Sequence, residues 1–168
     1  MILFSIIFAC SSKKYEIKNM GETKQLPKTV KFEEVTDKLV QTIDRDGNGR
    51  VDIWNFQSSE NGPIVMKALD LNQDGKEDMR TYFDDKGNIT KEEFDGDFDG
   101  VVDIIDYYTN NTRTESQIDT NTDRIFDVFR FYDQGRLVRE AIDFNYDQTI
   151  DTTYIYDADG NKKRENSQ

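Results

Sequence analysis

A nine-residue pattern, Asp-x-(Asp/Asn)-x-(Asp/Asn)-x-x-x-Asp, occurs five times in the 168-residue chain. Its copies start at Asp44, Asp70, Asp95, Asp119 and Asp143, at steps of 24 to 26 residues. A regular period of this length means an array of like supersecondary units, each burying its apolar side against its neighbours. Within one copy, oxygen donors at positions 1, 3, 5 and 9 can converge on a single hard cation. The pattern therefore constrains architecture and chemistry together.

The residues between the acidic stretches read as strands. Each copy is followed by a short β-branched or aromatic run: 53–56, 79–83, 104–108, 128–132 and 152–156. Turn residues follow, as in Asp85-Lys86-Gly87-Asn88, Thr109-Asn110-Asn111-Thr112, Asp133-Gln134-Gly135-Arg136 and Asp157-Ala158-Asp159-Gly160-Asn161. Gly and Asn supply the positive φ that tight hairpin turns require. Second runs at 64–69, 89–94, 113–118 and 137–142 lead back into the next acidic stretch. The expected fold is all-β. It is an antiparallel meander of about five hairpin repeats, forming a twisted single sheet or a spiral, after a disordered N-terminal tether. Because the two kinds of connection alternate, all acidic loops fall on one edge, about 9–10 Å apart.

The turn half of the unit resembles YD repeats of the Rhs and teneurin type. The resemblance lies in Tyr132-Asp133-Gln134-Gly135-Arg136-Leu137, in Tyr156-Asp157-Ala158-Asp159-Gly160-Asn161 and, more loosely, in Phe83-Asp84-Asp85-Lys86-Gly87-Asn88-Ile89. It implies a continuous twisted sheet. Five repeats are too few to enclose a cargo, so the toxin-shell role of that family is not implied.

The acidic loops make five candidate calcium sites. Loop one offers Asp44, Asp46, Asn48 and Asp52, and loop two Asp70, Asn72, Asp74 and Asp78. Loop three offers Asp95, Asp97, Asp99 and Asp103. Loop four offers Asp119, Asn121, Asp123 and Asp127, and loop five Asp143, Asn145, Asp147 and Asp151. Calcium takes six to eight oxygens from flexible carboxylates, carbonyls and water, and a carbonyl at position 7 can join these side chains. Gly49, Gly75 and Gly100 at position 6 permit a sharp bend; Arg124 and Gln148 stand there in loops four and five. A left-handed non-Gly residue costs about 1 kcal/mol. Three loops are thus expected to bind well, loop three most tightly, with up to five sites in all. An EF-hand would need Glu at position 12 and flanking helices; position 12 is Asn55, Thr81, Asp106, Arg130 or Tyr154, and the flanks are strands. The loops, Asp70 to Asp78 above all, are similar to the calcium loops of FG-GAP repeats, which implies a strand-to-strand calcium loop. Simple Asp/Asn/Gly hairpin caps explain any one loop, but poorly explain an Asp at position 9 in all five.

Net charge is −12, and the sixteen loop aspartates more than account for it; without them the chain would carry +4. Five divalent ions would leave about −2. No basic stripe exists to bind nucleic acid. There is no His, the commonest general base, and a single Cys, so no intrachain disulfide. Asp pairs lie at cation spacing rather than as a glycosidase pair, and no catalytic role is expected. Trp54 and the Phe/Tyr positions are expected to be core and cross-strand ladder rather than a glycan-binding stripe.

Residues 1–10 hold an eight-residue apolar run, Ile2 to Ala9, ahead of Cys10. The run is too short to span a bilayer but long enough for a signal-peptide core. Ile7-Phe8-Ala9-Cys10 resembles a bacterial lipobox, which implies cleavage before Cys10 and lipid attachment to its thiol. Residues 11–35 read as a flexible tether and 36–168 as the repeat domain. Together these features lead to the expectation of a lipid-anchored calcium-binding protein of the bacterial cell envelope, periplasmic or surface-exposed. Its role would be structural or binding; alternatives are a calcium-dependent adhesin for a protein or glycan, or a metal-free interaction module.

Overall fold

The computed structural model describes residues 26–32 and 35–165. Residues 35–165 build one antiparallel sheet of eleven strands in strict sequence order. The strands are β1 (Leu39–Ile43), β2 (Ile53–Gln57), β3 (Ile64–Leu69), β4 (Met79–Phe83), β5 (Ile89–Phe94), β6 (Ile104–Thr109), β7 (Thr112–Ile118), β8 (Val128–Asp133), β9 (Arg136–Ile142), β10 (Thr152–Tyr156) and β11 (Lys162–Arg164). The meander expected from the repeat is present, and the sheet is open, with β1 and β11 at its two ends. Those two strands lie outside the runs read from the sequence. The short β11 carries Lys162, Lys163 and Arg164, charges of the kind that discourage edge-to-edge pairing.

The acidic loops join β1 to β2, β3 to β4, β5 to β6, β7 to β8 and β9 to β10, so all five stand on one edge. The opposite edge holds the Gly/Asn turns. Asn110 and Asn111 both take positive φ, as the two-residue turn between β6 and β7 requires. Every strand pair joined by such a turn from β2–β3 to β8–β9 shifts register close to it, for example between Tyr107 and Tyr108 or between Phe131 and Tyr132. Such bulges increase local twist.

Strand alternation divides the side chains between two faces. On the inner face Ala68, Arg80, Glu93, Ile105, Gln117, Phe129 and Ala141 stand in one cross-strand row. A buried cluster of Ile105, Phe129, Phe131 and Ala141 takes in Val102 and Phe126 from the ends of acidic loops three and four. A smaller cluster of Phe56, Met66 and Ala68 packs with Trp54 and Tyr82. Trp54 is therefore core, as expected. The outer face carries an apolar row directly behind the acidic edge, including Ile53, Leu69, Met79, Phe94, Ile104 and Ile118. Beyond it runs a polar ladder in which Arg130 Nε donates to Glu140 (2.8 Å), Tyr156 donates to Glu140 (3.0 Å), Tyr108 donates to Glu92 (2.6 Å) and Ser116 donates to Asp106.

Residues 26–32 depart from the expected tether. They cross the strands as a strap along the acidic edge. Phe126 N–H donates to Pro27 and Thr29 N–H to Arg124, both in loop four; Val102 N–H in loop three donates to Val30. Leu26 is buried in the larger cluster, with Phe32 packed against it, and Val35 packs on the smaller one. The Arg80 guanidinium lies 4.8 Å from the Phe32 ring centre and bonds Glu77 at 2.5 Å. The sequence hid this because one face of a single sheet needs only a few apolar residues to cover it. Leu26, Phe32 and Val35 show no period within a polar stretch. The leader, Cys10 and the tether as far as residue 25 lie outside the described residues.

Phe129 is fully buried at the centre of the larger cluster. Phe129→Ala is expected to cost about 3–5 kcal/mol, read as a lowered midpoint in chemical denaturation.

Candidate metal centres

The acidic edge is continuous at the backbone. Position 1 of each loop after the first donates its N–H to the carbonyl of position 9 of the preceding loop: Asp70 to Asp52, Asp95 to Asp78, Asp119 to Asp103 and Asp143 to Asp127, all at 2.8–3.0 Å. This register sets aspartates of adjacent loops side by side. Seven of them, Asp52, Asp70, Asp78, Asp95, Asp119, Asp127 and Asp143, are buried. Among the described residues none of the seven has an ion pair with Lys or Arg. Burying an unpaired carboxylate is costly unless hydrogen bonds or a cation compensate.

Backbone N–H groups do most of the compensation, in the same way in every loop. One oxygen of position 1 accepts the N–H of position 6, at 2.7–2.8 Å in all five. The other accepts position 4 in loops one, two and four. Position 3 accepts from position 5, and position 5 from position 7, as Asx turns. Position 9 reaches back to position 2: Asp52 to Arg45, Asp78 to Leu71, Asp103 to Gly96, Asp127 to Thr120 and Asp151 to Phe144, at 2.6–2.8 Å. The repeated Asp at position 9, which hairpin capping left unexplained in the sequence, thus has a structural role. It ties the end of each loop to its start.

Two backbone positions, not one, are left-handed in every loop. Position 6 is so at Gly49, Gly75, Gly100, Arg124 and Gln148, and position 4 at Gly47, Gln73, Phe98, Thr122 and Tyr146. Loop one has Gly at both, loops two and three at one, and loops four and five at neither. The added strain read from the sequence for loops four and five is therefore real but understated, and β-branched Thr122 is its most unusual case.

Two loops gather three carboxylates within 4.8 Å of one another. In loop one they are Asp44, Asp46 and Asp52, and in loop three Asp95, Asp97 and Asp99. These two clusters can hold a metal ion. Asn72, Asn121 and Asn145 at position 3 keep the other loops from forming such a triad, though a side-chain amide oxygen also serves calcium. Loop four differs further. Thr120 occupies both oxygens of Asp127, its N–H on Oδ2 and its hydroxyl on Oδ1, each at 2.8 Å. In the other loops every bond from loop backbone to position 9 ends on Oδ2. That Thr hydroxyl was legible at position 2 but has meaning only once the loop is closed. Arg124 also reaches Asp99 across the loops at 3.5 Å.

Loop three holds the clearest imbalance. Asp95 is 1% exposed, and its Oδ1 is buried with no hydrogen-bond partner. The N–H groups of Gly100 and Phe98 stabilise its charge, but Phe98 completes no hydrogen bond to Oδ1. Burial outweighs both and, with Asp103 and Asp97 nearby, pushes the Asp95 carboxyl above its ordinary value. Burial also raises Asp103 and Asp127, and in each the Asp119 charge adds to the effect. Asp44 and Asp74, exposed and held by N–H groups, are lowered instead.

No family model matches the chain, and no curated protein matches it. Some solved structures share part of its shape. One, of accessory secretory protein 1, 2 and 3 in Streptococcus pneumoniae, aligns at TM-score 0.49 and 16% identity over 71% of this chain and 22% of that one. Two are of TarM. One aligns at TM-score 0.38 and 12% identity over 83% of this chain and 22% of that one. The other, a mutant of the Staphylococcus aureus protein, aligns at 0.37 and 10% over 77% and 21%. The chain thus spans about a fifth of the length of each, and likeness at this level carries no functional argument.

Two outcomes are expected of the metal-free protein. A carboxyl raised in the fold destabilises the native state while ionised and is relieved as pH falls through its folded value. Asp95, Asp103 and Asp127 therefore make the metal-free protein more stable on mild acidification from neutrality toward 3.8, the ordinary Asp value. Below 3.8 the lowered Asp44 and Asp74 protonate and stability falls. Thermal melts across pH in metal-depleted buffer check this; a flat or falling profile between about pH 7 and 4.5 contradicts it. Separately, Thr122→Gly is expected to stabilise by about 1 kcal/mol, since relief of backbone strain exceeds the entropy that Gly adds to the unfolded chain.

Proposed function

We propose that the protein is a calcium-binding, lipid-anchored component of the bacterial cell envelope, with a structural or binding role and not a catalytic one. The observation that carries the calcium assignment is Asp95 Oδ1, a buried oxygen without a partner beside two further carboxylates. A hard cation at that point would satisfy it and offset the like charges of Asp97, Asp99 and Asp103. Calcium fits better than magnesium because one loop offers several protein oxygens in irregular array, whereas magnesium demands near-octahedral geometry and keeps several of its waters. Loop one, with its triad and its two unstrained glycines, is the second site. Loop two, whose Asn72 gives an amide oxygen at position 3, is the third. Loop four ranks last because Thr120 already holds Asp127.

The envelope location rests on the Cys10 lipobox resemblance and on the calcium available outside cells. An adhesin for a protein or glycan is the alternative within the same chemistry. A metal-free interaction module is favoured by one specific observation: the backbone N–H network closes each loop without an ion.

Melting with and without calcium separates these. If free calcium exceeds the dissociation constant a hundredfold, one site adds about 2.7 kcal/mol, which for a chain of this size is a rise of roughly 10 °C. Chelator should reverse it, and Asp95→Asn should remove one site from the calorimetric stoichiometry. An unchanged melt under chelation, with no calcium bound, would establish the metal-free module.

A further inference from the structure

Large apolar side chains project from the acidic edge where the fold has no use for them. Leu71 is 48% exposed, Phe98 41%, Phe144 56% and Tyr146 47%. They occupy position 2 or 4 of loops two, three and five, between the candidate ligands. None belongs to either buried cluster. Phe98 and Tyr146 moreover take left-handed backbone, at φ of +65° and +59°, where loop one has the unstrained Gly47. Strain retained at an exposed aromatic residue points to a use outside the fold.

We propose that the acidic edge is a calcium-dependent docking surface for an anionic phospholipid membrane, with Leu71, Phe98, Phe144 and Tyr146 entering its headgroup layer. This rests on the calcium sites proposed above. Without metal, sixteen loop aspartates repel an anionic surface. Five calcium ions would cancel ten of those sixteen charges, so metal removes most of the repulsion. Four side chains and one carbonyl give fewer donors than the six to eight oxygens calcium takes, which leaves positions for lipid phosphate. Neighbouring loops stand about 10 Å apart at two strands per loop, so the tips of adjacent loops can reach one surface together. The exposed cations at positions 2 and 7, Arg45, Arg50 and Lys76, lie on the same edge and suit phosphate.

The path of the chain agrees. Pro27 accepts the Phe126 N–H at loop four, so the described chain begins beside the acidic edge and not at the turn edge. Sixteen residues lie between Cys10 and Pro27, a reach of at most about 60 Å. An anchor on Cys10 therefore keeps this edge at high local concentration next to a bilayer, where weak apolar tips suffice.

The test places tryptophan at the tips of the full chain held in vesicles through its N-terminus. Phe98→Trp and Phe144→Trp are compared with Arg136→Trp on the opposite edge, against the wild-type Trp54 background. The vesicles carry brominated lipid, either phosphatidylcholine alone or with phosphatidylglycerol, and calcium is titrated in the same samples by calorimetry. The expected result is quenching at 98 and 144, several-fold above that at 136, only with calcium and phosphatidylglycerol, and reversed by chelator. Calcium binding without tip quenching would overturn the membrane assignment, leaving the edge to a protein or glycan, while the calcium sites stand. Quenching that ignores calcium or lipid charge would overturn it as well. Absence of bound calcium would remove the metal sites themselves.

Discussion

A row of buried like charges governs this molecule. Antiparallel pairing carries position 1 of one loop against position 9 of the loop before it, so carboxylates line up wherever the sheet continues. The fold tolerates this by aiming backbone N–H groups at one or both oxygens of each of these carboxylates, and a carboxylate that accepts several such bonds remains ionised inside a protein. The left-handed residues at positions 4 and 6 exist for the same reason, because they turn the loop N–H groups inward. Loop shape, strain and charge are one arrangement. Asp95 Oδ1 is where the supply of N–H groups falls short.

Most of the fold was legible because strand and turn signals repeat. The runs read as strands match β2 to β10 to within two residues at each end, since β-branched and aromatic residues recur between Gly/Asn turns. The end strands were not legible. Leu39–Ile43 is exposed along its length and pairs with one neighbour, and Lys162–Arg164 carries no strand signal. Both exist because an adjacent strand offers unpaired N–H and C=O groups.

The candidate sites were legible as residues but not as geometry. Gly at position 6 pointed to loops one to three, loop three above all; loops one and three gather three carboxylates within 4.8 Å, and loop two does not. Left-handed position 4 was not visible, because Gln73, Phe98, Thr122 and Tyr146 advertise nothing of the kind. The double hold of Thr120 on Asp127 likewise depends on loop closure. The strap was missed for a related reason. Its hold on the sheet runs mainly through backbone groups at Pro27, Thr29 and Val30, and main-chain bonding leaves no signature in side-chain pattern.

Strict sequence order of the strands has a kinetic consequence. Each strand needs only its immediate predecessor, so hairpins can zip in chain order, with no search for distant partners. The strap is the exception. Residues 26–32 precede every strand, yet their seat on loops three and four exists only once about a hundred further residues have been added. The strap thus precedes the sheet in the chain but settles only after loops three and four have formed.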